Sequence, residues 1–175
     1  MKTLVSAVSL AFGALTAAHA ASSMPAHPSP GLAPVYVHMN GANMFLEGTV
    51  AVRPGQPVVF INEDTGVHTV VGYNPATGAS SKTFDGVVTG TPGPTHPVQT
   101  YRVTFRHRGL HPYYCSVHAK LVPEPGGMTM PRKRPTVHGF GDPMAGLIIV
   151  TTDPRLLAQN PASSAHKVLS AYFGG

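Results

Sequence analysis

The sequence predicts an all-β domain, a Greek-key β-sandwich or barrel of seven to eight strands with a minor C-terminal helix, and two observations carry that expectation. Nineteen Gly and eighteen Pro interrupt the 175 residues too often for long helices. Between the interruptions lie short runs with strand periodicity, clearest where Tyr101, Val103 and Phe105 alternate with Arg102, Thr104 and Arg106. Short alternating runs joined by Gly and Pro turns describe two packed sheets or a closed one.

Taken in order, residues 35–39 and 44–52 are rich in β-prone side chains, with Asn40-Gly41 punctuating them. Arg53-Pro54-Gly55-Gln56-Pro57 is a turn, and residues 58–61 are apolar enough for a sandwich interior. Strands are expected again over 68–73 and 82–88, separated by a loop over 74–81, and another loop covers 89–97. A half-buried strand follows at 101–106; Tyr113-Tyr114-Cys115 ends a short one, and Leu147-Ile148-Ile149-Val150 supplies the last. The helix is expected over 165–173, capped by Ser163 or Ser164. No internal repeat is present.

At the start of the chain, Met1-Lys2 precedes an apolar run over 3–17 and then Ala18-His19-Ala20. This reads as a signal peptide (1–20) cut after Ala20, the alternative being a retained anchor; the apolar run is short for a span of roughly 20 residues. A Ser, Pro and Ala rich leader (21–34), one domain (35–151) and a C-terminal extension (152–175) complete the expected organisation, that of an exported, periplasmic monomer without a membrane span. Losing Lys2 leaves eleven basic against seven acidic side chains, a net +4. Their densest point, Arg132-Lys133-Arg134 between Pro131 and Pro135, reads as a solvated turn or as an electrostatic docking patch for an acidic partner. Nucleic acid is excluded as a partner, because no basic stripe interleaved with aromatics is present.

Oxidising compartments usually pair their thiols, so the one cysteine, Cys115, is a buried inert thiol, an intermolecular bridge, or a thiolate protected by a metal. His118 follows it by three positions in Gly109-Leu110-His111-Pro112-Tyr113-Tyr114-Cys115-Ser116-Val117-His118. A thiolate and an imidazole so spaced on a tight loop can turn onto one ion, a soft donor set that suits copper or zinc. His68 stands where a loop re-enters a strand, and Met144 begins the last strand with Gly146 two residues on, permitting close backbone approach.

Three segments together, Phe-x-Asn-x-Asp before His68, Gly-x-x-x-Tyr-Tyr-Cys-x-x-His ending at His118, and Met-x-Gly-x-Ile-x-Val from Met144, resemble the plastocyanin, pseudoazurin and amicyanin group of cupredoxins over residues 35–151. The interval of 47 positions from His68 to Cys115 is also similar. The resemblance implies a type 1 site with one copper ion, Cu(I) or Cu(II), held by His68, Cys115 and His118 in a plane and by Met144 axially. It further implies that the Thr69 amide supports the sulfur and that Asn62 braces the ligand loops. Activity is then expected to be one-electron transfer between redox partner proteins, with no catalytic residues. Surplus donors such as Met24, His27, Met39, Met44, Met128 and Met130 motivate an alternative, copper handling or resistance. An oxidase or nitrite reductase is disfavoured because Tyr114 occupies the position where those enzymes carry a further copper-linked histidine.

The pattern departs from the family at residues 119–143, an insertion between His118 and Met144 that reads as a surface loop, a lid, a docking loop or a second weak copper site. Met128 and Met130 within it are rivals to Met144 as the axial donor. His111 and His138 are expected at the rim without being ligands.

Overall fold

A computed structural model describes residues 31–93, 95–137 and 142–160. The expected signal peptide (1–20), residues 21–30 of the expected leader and the helix over 165–173 lie outside these, as do Met24, His27 and His138. Eleven strands are present among the described residues. One sheet has the order β2 (Met44–Phe45), β1 (Val35–Asn40), β4 (Pro57–Asn62), β7 (Gln99–Thr104). The second has the order β3 (Thr49–Val52), β11 (Ala145–Val150), β8 (Gly109–Tyr114), β5 (His68–Tyr73), β6 (Ser80–Val88). A separate hairpin joins β9 (Ala119–Pro123) to β10 (Thr129–Lys133). β1 pairs in parallel with β4 and β3 with β11, while the remaining ladders are antiparallel.

The two larger sheets meet over one core. Val37, Met39, Val58, Phe60 and Val103 from the first face Val50, Val52, Val70, Phe84, Tyr113 and Ile148 from the second. Phe60 and Phe45 set their edges against Tyr113, with centroids 5.1 and 4.8 Å apart, the offset that ring quadrupoles favour. Strand alternation sends each next residue to the opposite face, so Val71, Tyr73 and Tyr114 point outward, where Ala119 and Leu121 of the hairpin cover them. All six residues of β5 are buried in consequence.

Two sequence expectations change. The run over 44–52 is two strands, not one, because the chain leaves the first sheet for the second at Leu46-Glu47-Gly48. Buried Glu47 pins the crossing: its carboxylate accepts from the His38 backbone N–H at 2.7 Å and reaches His38 Nδ1 at 3.0 Å. Residues 119–133 of the insertion form a hairpin, with Arg132 and Lys133 on β10. Pro125-Gly126-Gly127 makes its turn with φ of 102° and 84° at the glycines, conformations that side-chain-bearing residues rarely adopt. A short helix, α1 (Pro154–Leu157), is capped by the Asp153 carboxylate.

Gly146 supplies the close approach its position suggested. A methyl there would meet the Tyr113 ring and hydroxyl and the Gly48 carbonyl. Gly146→Ala is expected to lower folding stability by about 1–3 kcal/mol, read from denaturant midpoints of the metal-free protein.

Candidate metal centre

Three strand ends set the donors. In the second sheet Val71 of β5 and Ala145 of β11 both pair with Tyr114 of β8, so one step further along β8 brings Cys115 between the start of β5 and Met144. His68, the first residue of β5, is wholly buried, as is Cys115, whereas His118 is partly exposed. His68 Nδ1 lies 3.8 Å and His118 Nδ1 3.3 Å from Cys115 Sγ, with the rings 4.7 Å apart. All three donor atoms fall within 4.8 Å of one another. Bonds of about 2.3 Å to sulfur and 2.0 Å to nitrogen, opened to a trigonal angle, place the two atoms roughly 3.7 Å apart. The donor spacing therefore fits a single first-row ion.

The surroundings hold these atoms in place. The Thr69 N–H donates to Cys115 Sγ at 3.3 Å, as the resemblance implied. The Thr69 hydroxyl accepts from the Ser116 N–H at 2.7 Å, tying the start of β5 to the turn after Cys115. Asn62, fully buried, donates to the carbonyls of Gly66 and Val88 at 2.9 Å, and its Oδ1 accepts from the Asp64 N–H. The loop carrying His68 is thus closed from within.

One member escaped the sequence reading. Asp64 Oδ2 lies 2.9 Å from His68 Nε2, so Nε2–H donates to the carboxylate and Nδ1 is the ring nitrogen turned toward the sulfur. Carboxylate partners of this kind orient metal-binding imidazoles. The signal was available, since Asp64 stands four positions before His68 in the motif already noted.

Met144 is buried beside this group. Its carbonyl accepts from the Cys115 N–H at 2.9 Å, and its side chain belongs to the core cluster that includes Cys115. The rivals lie elsewhere: Met130 pairs with Val122, three residues along β9 from Ala119, which at about 3.3 Å per residue is roughly 10 Å from the ligand turn. Met128 is farther still. Both are exposed and line a groove of about 620 Å³ with Tyr73, Leu110, Pro112 and Leu147. His111, expected at the rim, instead pairs with Ile148 and stacks on Phe105 at 3.9 Å, several residues along β8 from Cys115. Met39 is core. Of the basic triplet, Arg132 donates to the Glu124 carboxylate at 2.7 Å and Arg134 to carbonyls of the ligand turn.

The metal-free charges follow from these contacts. Burial pushes the Cys115 thiol up, but the His118 and His68 rings and the Thr69 amide outweigh it and bring it down to about 5. Burial likewise pushes the His68 imidazole down, and the Asp64 carboxylate and Cys115 sulfur outweigh that and hold it above its ordinary value. A thiolate is the form that binds metal.

No family model matches the sequence, and no curated protein matches it. Among solved structures, the chain is similar to a purple cupredoxin from Nitrosopumilus maritimus, with 16% identity, 67% of this chain and 99% of that one covered, and a TM-score of 0.44. It is also similar to amicyanin from Paracoccus versutus, with 20% identity, 74% and 86% covered, and a TM-score of 0.43. Identities and scores at this level transfer no residue role. What the chain itself holds is a mixed-sheet β-sandwich with a His68, Cys115 and His118 group able to bind one metal ion.

A depressed thiol pKa stabilises the fold above the unfolded value, and that contribution disappears as pH falls through the folded value. The Cys115 share of metal-free stability is therefore complete only above about 9 and lost below about 5. His68, shifted upward, contributes in the opposite sense, fully below its unfolded value near 6.5 and not above its raised one. The thiolate ultraviolet absorbance of metal-free protein should rise with a midpoint near 5, and Cys115→Ser should abolish it; a midpoint near the ordinary thiol value would contradict this account of the site.

Proposed function

We infer that the chain is an exported, periplasmic type 1 copper protein that carries one electron at a time between redox partners and is not an enzyme. The observation that carries this reading is the buried convergence of one thiol sulfur and two imidazole Nδ1 atoms from separate strand ends. His68, Cys115 and His118 would hold the ion and Met144 would lie beside it as the weak fourth donor. Bound copper would supply the one-electron redox couple, for which a His2Cys set with a distant thioether is suited.

The rest is done by the chain. Asp64, Asn62 and Thr69 fix the donors before any ion arrives, so little reorganisation accompanies a change of charge. Burial of His68 and Cys115 excludes water, while partly exposed His118 gives the site one edge toward solvent and so toward a partner. Arg132, Lys133 and Arg134 end beside that edge, since the Arg134 N–H donates to the His118 carbonyl at 3.0 Å. This supports docking of an acidic partner there. Among the described residues no helix is long and apolar enough to cross a membrane.

A second reading, copper handling, is favoured by one observation: Met128 and Met130 are both exposed on the same groove, where two thioethers could take Cu(I). Copper titration distinguishes the two, one tight equivalent supporting the carrier and further Cu(I) equivalents the handling protein. On the carrier reading, Met144→Ala changes the visible and electron paramagnetic resonance spectra of copper-loaded protein, and Met130→Ala does not. The reverse result would move the axial donor to the hairpin, and failure to take copper would remove the proposal. Asp64→Ala should weaken copper binding about ten- to a hundredfold in competition with a chelator, with the spectrum reporting a loosened His68.

A further inference from the structure

The insertion after His118 is joined to the site more closely than a variable surface loop needs to be. β9 begins at Ala119, the residue next to His118, and Ala119 and Leu121 pack on Val71, Tyr73 and Tyr114 of the second sheet. At the far end the Thr129 N–H donates to the Pro75 carbonyl at 2.6 Å, and the Gly78 backbone lies against the Thr129 side chain. At the near end a single residue returns to the ligand turn. The Arg134 N–H donates to the His118 carbonyl at 3.0 Å, and Arg134 Nε–H faces the carbonyls of Ser116 at 3.1 Å and Ala119 at 3.2 Å.

Inside the same turn, the His118 and Ala119 N–H groups both donate to the Cys115 carbonyl, at 3.2 and 2.8 Å. The peptide groups from Cys115 to Ala119 are therefore held from within by the turn and from outside by Arg134. A cation donating to carbonyls is a stronger partner than a neutral donor, although exposure of Arg134 reduces its worth. Fixing these peptides fixes the backbone that carries His118, and with it the 3.3 Å approach of Nδ1 to the sulfur.

We propose that Arg134 is a positioning residue for the Cys115 to His118 turn, and that the β9–β10 hairpin is the brace that holds Arg134 there. The inference concerns the chain before it meets metal and rests on the copper reading only for its second readout. Arg132 provides an internal control: it removes the same charge two positions away, but its Nε–H is spent on Glu124.

The test compares full-length Arg134→Ala and Arg132→Ala with the unaltered protein. In metal-free protein, hydrogen exchange of the His118 and Ala119 amides should speed up about three- to tenfold in Arg134→Ala, the effect of losing one modest hydrogen bond. Amides of Phe60 and Val103, in the core of the first sheet, should not change, and Arg132→Ala should match the unaltered protein throughout. In copper-loaded protein, loss of the ion to a chelator should accelerate by a similar factor in Arg134→Ala alone. Unchanged exchange at 118 and 119, equal acceleration at Phe60 and Val103, or the same effect from Arg132→Ala would each overturn the proposal. Refusal of copper by the unaltered protein would instead sink the functional reading, leaving metal-free exchange to judge the brace.

Discussion

A sulfur that is to bear negative charge inside an apolar core must be surrounded by donors, and this constraint organises the second sheet. An isolated buried anion is costly enough that a thiol would stay protonated. Here the Thr69 amide and two imidazoles approach Cys115 Sγ; strand register places Thr69 and His68, and the turn after Cys115 places His118. Adjacent strands lie about 4.8 Å apart, so β5, β8 and β11 set His68, Cys115 and Met144 in neighbouring columns at one end of the sheet. A slip of one residue in either ladder would turn a donor to the opposite face. The alternation of Tyr113 into the core and Tyr114 outward forbids that slip, because both faces of β8 are covered.

Covering both faces is the work of two very different elements. The inner face meets the first sheet through an aromatic cluster around Tyr113 and Phe60. On the outer face, Tyr114 meets the hairpin through Ala119 and Leu121. Where the chain leaves the first sheet, the buried His38 and Glu47 pair marks the change of layer. Such a pair adds little net stability compared with apolar packing; its contribution here is to specify a crossing point, since Glu47 also receives the His38 backbone N–H.

What the sequence made legible was local. Alternation around Tyr101, Val103 and Phe105 yields a strand whose inward side chains join the core. The Cys115 and His118 spacing, the loop before His68 and the glycine after Met144 each correspond to a short-range geometry that the structure contains. Less legible were features that depend on partners remote in the chain. The run over 44–52 carries Glu47-Gly48 at its centre, a break signal that its β-prone flanks outweighed, and its division depends on Glu47 finding His38. The hairpin was hidden because Pro123 and Pro131 argue against strand, and only an edge position with few ladder bonds to lose accommodates them. Its turn residues, Glu124-Pro125-Gly126-Gly127 between β-prone flanks, were a hairpin signal that composition outweighed. His111 lies near Cys115 in sequence, but an extended strand separates positions that a helix or turn would keep close.

The two histidines of the site are not equivalent, and the difference bears on how a carrier of this kind would work. His68 is held at both nitrogens, Nε2 by Asp64 and Nδ1 by the sulfur side of the site, and is closed off from solvent. His118 presents only Nδ1 inward and stays partly exposed on a turn whose carbonyls are held by Arg134. Rigidity and access pull against each other, because an edge open to a partner is also open to water and thermal displacement. Bracing the turn from its backbone rather than covering its side chain satisfies both demands. An insertion at this position thus leaves the His118 side chain partly exposed while hydrogen bonds hold the peptide groups beneath it.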